Sequence, residues 1–568
     1  NAEGANTWKR LTGANIGKSI AIVLDGNVYS FPTVQAEIGG GISQITGNFS
    51  IEEAQDLATV LKAGKLPAPA HIVEEAVVGP TLGAESIAAS IWSFAGAFIA
   101  VLIFMVIYYG NGGWAANLAL LANVFFVFGV LASLGAVLTL PGMAGIVLTI
   151  GISIDSNVLI FERIREELAR GTGVRLAVKQ GYNAAYSAIV DSNVTSLLTA
   201  IILAVFGTGP IQGFATTLII GIFCSLFSAI FITRLVFEAR LSKGKKINFS
   251  TGLSKGALTN TTIDIIGKRK MAYAFSGLII LAGVGSYVTQ GFNLGIDFLG
   301  GRSYVVEFED DVTAEGVATM LVDNFGGQAP SVKTFGADNR MKITTSYRID
   351  DNTTTADDEI EALLITGLSE TGNAQVLSSQ KVGPTIADDI LRKALYSILI
   401  ALVVIFLYIF LRFKKWQFSV GAVIALFHDV LFVLACFTLL WQIVPFSMEI
   451  DQALIAAILT VVGYSINDTV VVFDRIREYQ SEFALRNVPL PKLVNDALNS
   501  TLSRTVITAV TTFLVLLVLF IFGGETIKGF SFALLIGVVV GTYSSIFIAT
   551  PAILEFYKED SREVKKKA

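Results

Sequence analysis

Three charged residues of this chain, Asp155, Asp468 and Arg504, lie inside long apolar stretches. At the centre of a bilayer an ionised side chain costs about 2.5–3.5 kcal/mol on insertion scales, so residues of this kind usually serve a function. A guanidinium near a carboxylate favours the ionised carboxylate, and its withdrawal favours proton binding. We therefore interpret the three residues as a proton relay. The alternative is a static buried salt bridge that fixes the packing of the helices.

Other polar residues in or beside such stretches are candidates for supporting roles. They are Asp191, Ser156, Asn467, Thr505, His428 and Asp429. His428 and Asp429 are adjacent in the chain, and they either extend a proton path or form a structural hydrogen-bonded pair. The charged runs 162–166 and 474–478 follow the relay acids in sequence. Anchoring at the membrane surface explains these runs better than a role in transport.

Motifs of common enzymes are absent from the sequence. It contains no phosphate-binding loop followed by Lys and Ser or Thr, no zinc-ligand spacing and no nucleophile elbow. We therefore expect no catalytic residues, no metal site, no cofactor and no enzymatic activity. Energy from nucleotide hydrolysis on this chain is not expected either.

The composition indicates the elements that must position the relay residues. Of 568 residues, 53% are hydrophobic and only 15% are charged, whereas a soluble domain carries about 25% charged residues. A water-soluble surface cannot be built from this composition, so much of the chain must lie in a membrane. Eleven stretches are long and apolar enough to span a bilayer as helices. They cover residues 86–108, 114–138, 142–162, 184–206, 213–237, 271–290, 394–411, 417–441, 453–473, 501–522 and 529–556.

Lys and Arg indicate the orientation of these spans, because basic residues favour the cytoplasmic side. They concentrate in the connections 163–179 and 240–270, after the seventh span at 412–415, and in the C-terminal tail. The C-terminus is therefore predicted to be cytoplasmic. Because the number of spans is odd, residues 1–85 must lie on the side of the membrane opposite the cytoplasm, as must residues 291–385.

Two segments outside the membrane are predicted to fold. Residues 303–385 alternate as β-α-β-β-α-β, the ferredoxin-like arrangement in which two helices cover one face of a four-stranded sheet. This segment holds fourteen acidic residues against five basic ones, which argues against nucleic-acid binding. Residues 1–85 are predicted to be part of a similar domain, with a hairpin turn at Asp25-Gly26. Ser50 and Glu53 are spaced as a capping box at the start of a helix.

The chain contains an internal repeat, which is its strongest sequence signal. Residues 78–81 recur as 382–385, and residues 151–166 recur with few changes as 463–478. In this alignment Asp155 corresponds to Asn467, so each half keeps one carboxylate near the same position. Both halves run in the same direction, which predicts a pseudo-twofold axis along the membrane normal.

The repeated motifs resemble those of the SecDF family. The SecF-like motifs are residues 295–301, 463–478 and 503–505, and the SecD-like motifs are residues 21–26, 44–49, 53–58, 66–69, 78–83, 138–145 and 155–166. The resemblance implies a polytopic α-helical membrane protein of the RND type with α+β ferredoxin-like periplasmic domains. The family's intramembrane aspartates correspond to Asp155 and Asp468, and its arginine corresponds to Arg504.

The same resemblance implies a function and partners. The chain would use the proton-motive force to promote late export of precursor proteins across the bacterial cytoplasmic (inner) membrane. The implied partners are the SecYEG translocon, the SecA motor indirectly, YajC and YidC as further candidates, unfolded precursor proteins and protons, without nucleic acid. SecD proteins open with a membrane helix and a large periplasmic domain. We therefore expect the full-length protein to have twelve spans, with the first helix and part of the first periplasmic domain preceding Asn1.

These inferences predict seven segments along the chain. They are a SecD-like periplasmic segment (1–85), five SecD-like membrane helices (86–240), a cytoplasmic linker (241–270), the first SecF-like helix (271–290), a ferredoxin-like periplasmic domain (291–385), five SecF-like membrane helices (386–557) and a basic cytoplasmic tail (558–568).

Two other functions remain open at this point. An RND-type exporter of small molecules or lipids would use the same proton relay, although the acidic outside segments offer no apolar pocket for such cargo. A passive scaffold would leave the buried acids unexplained. The coupling ion is also open, because sodium could replace protons at paired carboxylates.

Overall fold

A computed structural model of the chain describes residues 2–24, 27–47, 49–63, 74–256, 261–351, 355–369, 373–482 and 488–556. The chain divides into two compact units, one within residues 1–72 and the other within residues 73–568. The second unit holds the membrane helices and the larger sheet, and therefore all of the predicted relay residues.

The first unit is small. It contains helix α1 (Ala2–Ala14), a hairpin of β1 (Ile22–Leu24) and β2 (Asn27–Ser30), and helix α2 (Ile51–Ala63). The predicted capping box is confirmed, because the Ser50 amide donates to Glu53 Oε2 at 2.8 Å and the Glu53 amide donates to Ser50 Oγ at 3.2 Å. The predicted turn at Asp25-Gly26 lies outside the described residues, between the two strands.

Eleven helices in the described residues are long and apolar enough to cross a membrane, which agrees with the predicted number. Those of the first half are α3 (Pro80–Tyr109), α4 (Asn111–Ser133), α5 (Leu140–Ala169), α6 (Val174–Phe206), and α7 (Gly209–Phe227), which continues through a π-helical turn into α8 (Thr233–Ser242). Those of the second half are α9 (Arg269–Gln290), α13 (Pro384–Phe413), α14 (Trp416–Leu440), α15 (Gln452–Glu482), α16 (Leu490–Phe522), and α17 (Lys528–Ser544), which continues into α18 (Thr550–Phe556).

The repeat is visible in how equivalent helices begin and pack. Pro80 and Pro384 occupy the first turns of α3 and α13, where the fixed φ of proline suits a helix start. In α5 and α15, 94% of the residues in the most apolar stretch are buried, whereas in α3 and α13 only 28% are buried. Each of these two central helices packs against a helix of the other half, α5 against α16 and α15 against α6. Residues on their facing sides therefore meet between the halves.

A sheet and two helices project from one end of the bundle. The chain leaves α9 through the short helix α10 (Ile296–Leu299) and enters β4 (Gly301–Glu307), α11 (Ala314–Leu321), β5 (Ser331–Phe335), β6 (Ala337–Thr345), α12 (Ala356–Gly367) and β7 (Gln375–Val382). The four strands are antiparallel in the order β7-β4-β6-β5, which confirms the ferredoxin-like prediction. Their core contains Val306, Leu321, Ile343 and Leu364, each fully buried.

A fifth strand, which the sequence did not predict, joins this sheet from the first half. β3 (Glu74–Val78) pairs antiparallel with β7, with Ala76 opposite Gln380. We call the sheet β3–β7 with α11 and α12 the β-domain. Because β3 runs directly into α3, the β-domain is connected by covalent chain to both halves of the bundle.

Candidate relay site in the membrane bundle

The two central helices bring Asp155 and Asn467 together. Asp155 lies on α5 and Asn467 on α15, and the Asn467 amide nitrogen donates a hydrogen bond to Asp155 Oδ2. These residues occupy equivalent positions in the repeat, so their contact places the pseudo-twofold axis between α5 and α15. Both side chains are buried, with 4% and 6% exposure. The sequence aligned these two positions in the repeat, and the structure brings their side chains into direct contact.

Arg504 supplies the positive charge at this site. Its guanidinium nitrogen NH2 lies 3.9 Å from Asp155 Oδ1, and both side chains are buried. Asp468 follows Asn467 on α15. It is 2% exposed and interacts electrostatically with both Arg504 and Asp155. The structure thus places the three predicted relay residues in one buried group between the halves.

This group holds more hydrogen-bonding capacity than the surrounding protein uses. Within the described residues, none of the three guanidinium nitrogens of Arg504 has a hydrogen-bond partner, nor do Asp155 Oδ1, Asp468 Oδ2 and Thr505 Oγ1. A buried charged group without partners is costly, so a group held only to fix packing would be expected to bond more fully. Two carboxylates facing one guanidinium carry one excess negative charge, which a single bound proton would neutralise.

Besides Asn467, two supporting candidates adjoin the relay residues in the chain. Ser156 follows Asp155 on α5 and is 4% exposed, and Thr505 follows Arg504 on α16 and is 1% exposed. Buried hydroxyls at these positions give the site polar atoms that can donate or accept without adding charge. Ser156 corresponds to Asp468 in the repeat, so the second half carries an acid where the first carries a hydroxyl.

Asp191 lies in a separate cluster, at the contact between α6 and α13. It accepts hydrogen bonds from Tyr408 Oη at 2.9 Å and from Arg412 Nε at 2.6 Å. Arg412 also donates to Ser187 Oγ at 2.6 Å. Asp191 is therefore fully paired with groups outside the relay. Arg412 was grouped in the sequence only with basic residues that mark the cytoplasmic side, so this partner was missed.

His428 and Asp429 form a third buried cluster, on the side of α15 facing α14 and α17. Asp429 Oδ2 accepts from Ser465 Oγ at 2.6 Å and from Ser544 Oγ at 2.9 Å, while Asp429 Oδ1 lies 3.0 Å from His428 Nδ1. Both Asp429 oxygens are thus engaged, as in a structural hydrogen-bonded pair. The cluster touches the relay helix through Ser465, one turn before Asp468.

The charged runs 162–166 and 474–478 lie towards the C-terminal ends of α5 and α15, and ion pairs between them join the two halves. Arg163 pairs with Glu478 at 3.3 Å, and Arg475 pairs with Glu166 at 3.3 Å. Each arginine also pairs within its own helix. The sequence favoured surface anchoring for these runs. The repeat could have predicted the ion pairs between the halves, because the two runs occupy equivalent positions on the two central helices and these positions face each other.

Glu162 lies between these crossed pairs and the relay on α5, two turns after Asp155. Its carboxylate accepts from Tyr109 Oη at 3.0 Å and from Ser503 Oγ at 3.1 Å, and it pairs with Arg165 at 2.7 Å. A cavity of about 470 Å³ reaches this carboxylate from the end of the bundle opposite the β-domain. Glu162 was seen in the sequence only as part of a charged run, and its contact with Ser503, the neighbour of Arg504, was not predicted.

Known proteins resemble this chain over nearly its whole length. A family profile described as "Protein export membrane protein SecD/SecF, C-terminal" matches residues 60–240 and 364–559, one described as "SecDF, P1 head subdomain" matches residues 1–68, and one described as "SecD/SecF GG Motif" matches residues 287–312.

Curated relatives and a solved structure agree with these profiles. The protein translocase subunit SecDF of Thermus thermophilus is 37% identical over 100% of this chain and 75% of its own length. The SecDF subunit of Brucella abortus is 34% identical over 96% of this chain and 70% of its own length. The crystal structure of SecDF from Thermus thermophilus, described as a translocon-associated membrane protein, matches with a TM-score of 0.80 at 37% identity, covering 98% of this chain and 74% of that one.

Proposed function

This chain belongs to the SecD/SecF family of protein-export membrane proteins, and from that premise we propose that it uses the proton-motive force to promote late export of precursor proteins by the Sec translocase. The observation that carries the coupling to protons is the buried group of Asp155, Asp468 and Arg504 between the two halves. The relatives named as translocase subunits supply the link to protein export.

Proton binding would act on the contacts of Arg504. With both carboxylates ionised, the guanidinium is drawn to two acids on different central helices, which favours a close approach of α5, α15 and α16. A proton on one acid removes that attraction and leaves the guanidinium with the other. Because Arg504 has no hydrogen bond to the described residues, no such bond to them would have to break when it moves. Alternate proton binding and release would therefore shift the two halves relative to each other.

The energy available suits this task. One proton crossing a potential of 100 mV releases about 2.3 kcal/mol, several times the thermal energy. A few protons per cycle would bias a translocating chain against sliding backwards. Such a bias requires repeated small movements of the part that faces the emerging chain, which in this protein would be the β-domain and the first unit.

The proposal includes a location and partners. The protein would lie in the bacterial cytoplasmic membrane with its C-terminus in the cytoplasm and with the first unit and the β-domain in the periplasm. It would work beside the SecYEG translocon, after the stage driven by SecA, with YajC and YidC as further candidate partners and unfolded precursors as cargo. The basic connections between helices support this orientation.

The test is precursor translocation into inverted membrane vesicles that lack the native factor and contain the full-length protein or a variant. ATP and SecA are supplied, and the proton gradient is either present or collapsed. We expect the parent protein to accelerate late translocation several-fold only with a gradient. Asp468→Asn should reduce this acceleration to the level without a gradient, because the amide cannot exchange a proton.

Asp389→Asn is the matched control. Asp389 is an exposed carboxylate at the start of α13 that pairs with Lys393 at 2.8 Å, so the same chemical change occurs outside the relay. This variant should behave like the parent. Equal activity of Asp468→Asn and the parent would instead favour a structural role for the acid, and no effect of any form on translocation would favour an exporter of small molecules or a scaffold.

A further inference from the structure

The first turn of α15 is held by two carboxylates from different parts of the chain. Asp451 Oδ1 accepts from the amide of Leu454 at 2.9 Å, as a residue at the start of a helix commonly does. Asp297 Oδ2, on the short helix α10, accepts from the amide of Gln452 at 3.0 Å. The helix that carries Asn467 and Asp468 thus begins on a carboxylate that belongs to the segment leading into the β-domain.

An ion pair fastens the β-domain to the residues just before α15. Lys342 Nζ, on β6, donates to Glu449 Oε2 at 2.7 Å, and both side chains are largely buried. At the next residue, the amide of Ile450 donates to the carbonyl of Asn293 at 2.8 Å, and the amide of Gly295 donates to the carbonyl of Ile450 at 2.9 Å. The segment before α15 is therefore bonded both to β6 and to the strand-like stretch before α10.

Two glycines make the connection from α10 to the sheet tight. Gly300 and Gly301 have φ values of 71° and 146°, which L-residues with a Cβ rarely adopt. A Cβ on Gly301 would lie 2.8 Å from the carbonyl oxygen of Thr345 on β6, and one on Gly300 would lie 3.3 Å from Cα of Pro384 at the start of α13. Asp297 is therefore held at a fixed position relative to β4, β6 and α13.

The equivalent helix start in the first half is built differently. Thr139 precedes α5, and its Oγ1 accepts from the amide of Gly142 at 3.0 Å and donates to the carbonyl of Pro210 at 3.2 Å. This cap is uncharged, and its cross-contact reaches the start of α7. In the repeat, Gln452 corresponds to Leu140, so the charged connection at the start of α15 is a departure from the shared design.

We propose that Asp297, Lys342 and Glu449 form a joint that transmits movement of α15 to the β-domain. The proposal rests on the proposed function, because the movement begins at the relay. Asp468 lies 16 residues after Gln452, or about 24 Å along a straight helix. A shift of α15 at the relay is carried by this rigid helix to its first turn, where Asp297 and Glu449 pass it to α10 and β6. These are positioning residues, and they do not bind the proton that crosses the membrane.

The test measures proton flow through the protein separately from the stimulation of translocation that this flow drives. The full-length protein is reconstituted into liposomes with an internal pH-sensitive dye, and translocation is measured with the same preparation in inverted vesicles. Asp297→Ala, which removes the carboxylate that accepts from the Gln452 amide, and Lys342→Gln should keep gradient-driven proton flow within about two-fold of the parent, while the stimulation of translocation falls at least five-fold. Thr139→Ala, the matched change at the start of α5, should keep both. Retention of both activities in the joint variants, or parallel loss of both, overturns the proposal.

Two further measurements keep the joint testable apart from the relay. The exchange Lys342→Glu with Glu449→Lys should recover translocation that Lys342→Glu alone loses, since the ion pair is restored in reverse.

Spin labels at Gln328 in the β-domain and Gln442 after α14, with the native cysteines replaced by serine, report the distance between the β-domain and the second half. We expect a broader distance distribution in Asp297→Ala than in the parent. An unchanged distribution overturns the joint, whereas absence of proton flow in the parent overturns the relay.

Discussion

At the scale of single residues, the relay acids are not equivalent. Asp155 has one oxygen engaged by the Asn467 amide and the other directed at Arg504. Asp155 Oδ1 and Asp468 Oδ2 both lack a hydrogen-bond partner in the described residues, so the acids differ in the contact that Asn467 makes with Asp155. In the proposed relay, Arg504 would move between an acid held by Asn467 and an acid without this contact. Proton binding at the two acids would then be unequal.

Asp451 directly precedes α15 and lies outside the membrane-spanning segment, and its carboxyl group predicts how the stability of the protein depends on pH. Burial, together with the negative charge of Asp297, raises the pKa of Asp451 to about 7, while the Leu454 amide and Lys342 oppose the rise and Glu449 adds to it. The folded protein then keeps a proton between about pH 4 and pH 7 that the unfolded chain releases. Stability should therefore be greatest below this window and decline as the pH rises through 7.

The substitution Asp451→Asn tests this prediction. Asparagine caps a helix about as well as aspartate, so α15 should still begin at the same residue. We expect the melting temperature of the parent to be lower at pH 8 than at pH 5.5, and this difference to shrink in Asp451→Asn. Lys333, 4.7 Å above the Trp441 ring, and Glu74 are the other charged groups near this cluster. An equal pH dependence in both proteins would assign the effect to these neighbours.

The residues of the relay could be predicted from sequence, but their partners only in part. Asp155 and Asp468 were identifiable because a charge in an apolar run is rare, and the repeat aligned Asn467 with Asp155 without predicting that their side chains touch. No such signal linked Asp191 to Arg412, which lies 221 residues away. That contact depends on how α6 and α13 pack, and a single sequence does not encode helix neighbours in a form that can be read locally.

At the scale of elements, the crossed ion pairs hold α5 and α15 together at the end opposite the β-domain. Arg163→Glu should place three acids together and lower the free energy of unfolding by about 1 kcal/mol, the upper end for partly exposed pairs. The reversed pair, Arg163→Glu with Glu478→Arg, should recover at least half of this loss. Thermal unfolding of the single and double variants in detergent measures both values. Additive losses in the double variant would show that the two side chains do not interact.

The elements of the β-domain were predicted closely, whereas its fifth strand was not. Alternating apolar residues and short turns determine β4 to β7 locally, so the β-α-β-β-α-β order of residues 303–385 was already clear. β3 carries two acids and is exposed along its length, and its partner β7 follows 300 residues later. Strand pairing over such a distance is set by how the two halves assemble, which local patterns do not describe.

At the scale of the whole molecule, the β-domain has anchors on both halves. The joint ties it to α15 of the second half through Glu449 and Asp297. Arg340 on β6 ties it to α3 of the first half, donating to the two carboxylate oxygens of Glu85 at 2.6 and 2.9 Å. A rigid body with anchors on two moving parts must tilt when those parts shift. The small movements expected at the relay would therefore be enlarged at the far edge of the sheet.

Removing the anchor on the first half should weaken this tilt without stopping proton flow. In Arg340→Gln the two-oxygen contact with Glu85 is lost, and so is the 2.7 Å contact with Glu307, whereas Glu85→Gln removes only the first. We expect both variants to broaden the distance distribution between spin labels at Gln328 and at Gln212 on α7, with the larger effect in Arg340→Gln. Translocation should fall in the same order while proton flow persists. If translocation is unchanged although the distribution broadens, the anchor on α15 alone would suffice to drive the β-domain, and the tilt between two anchors would not be the working movement.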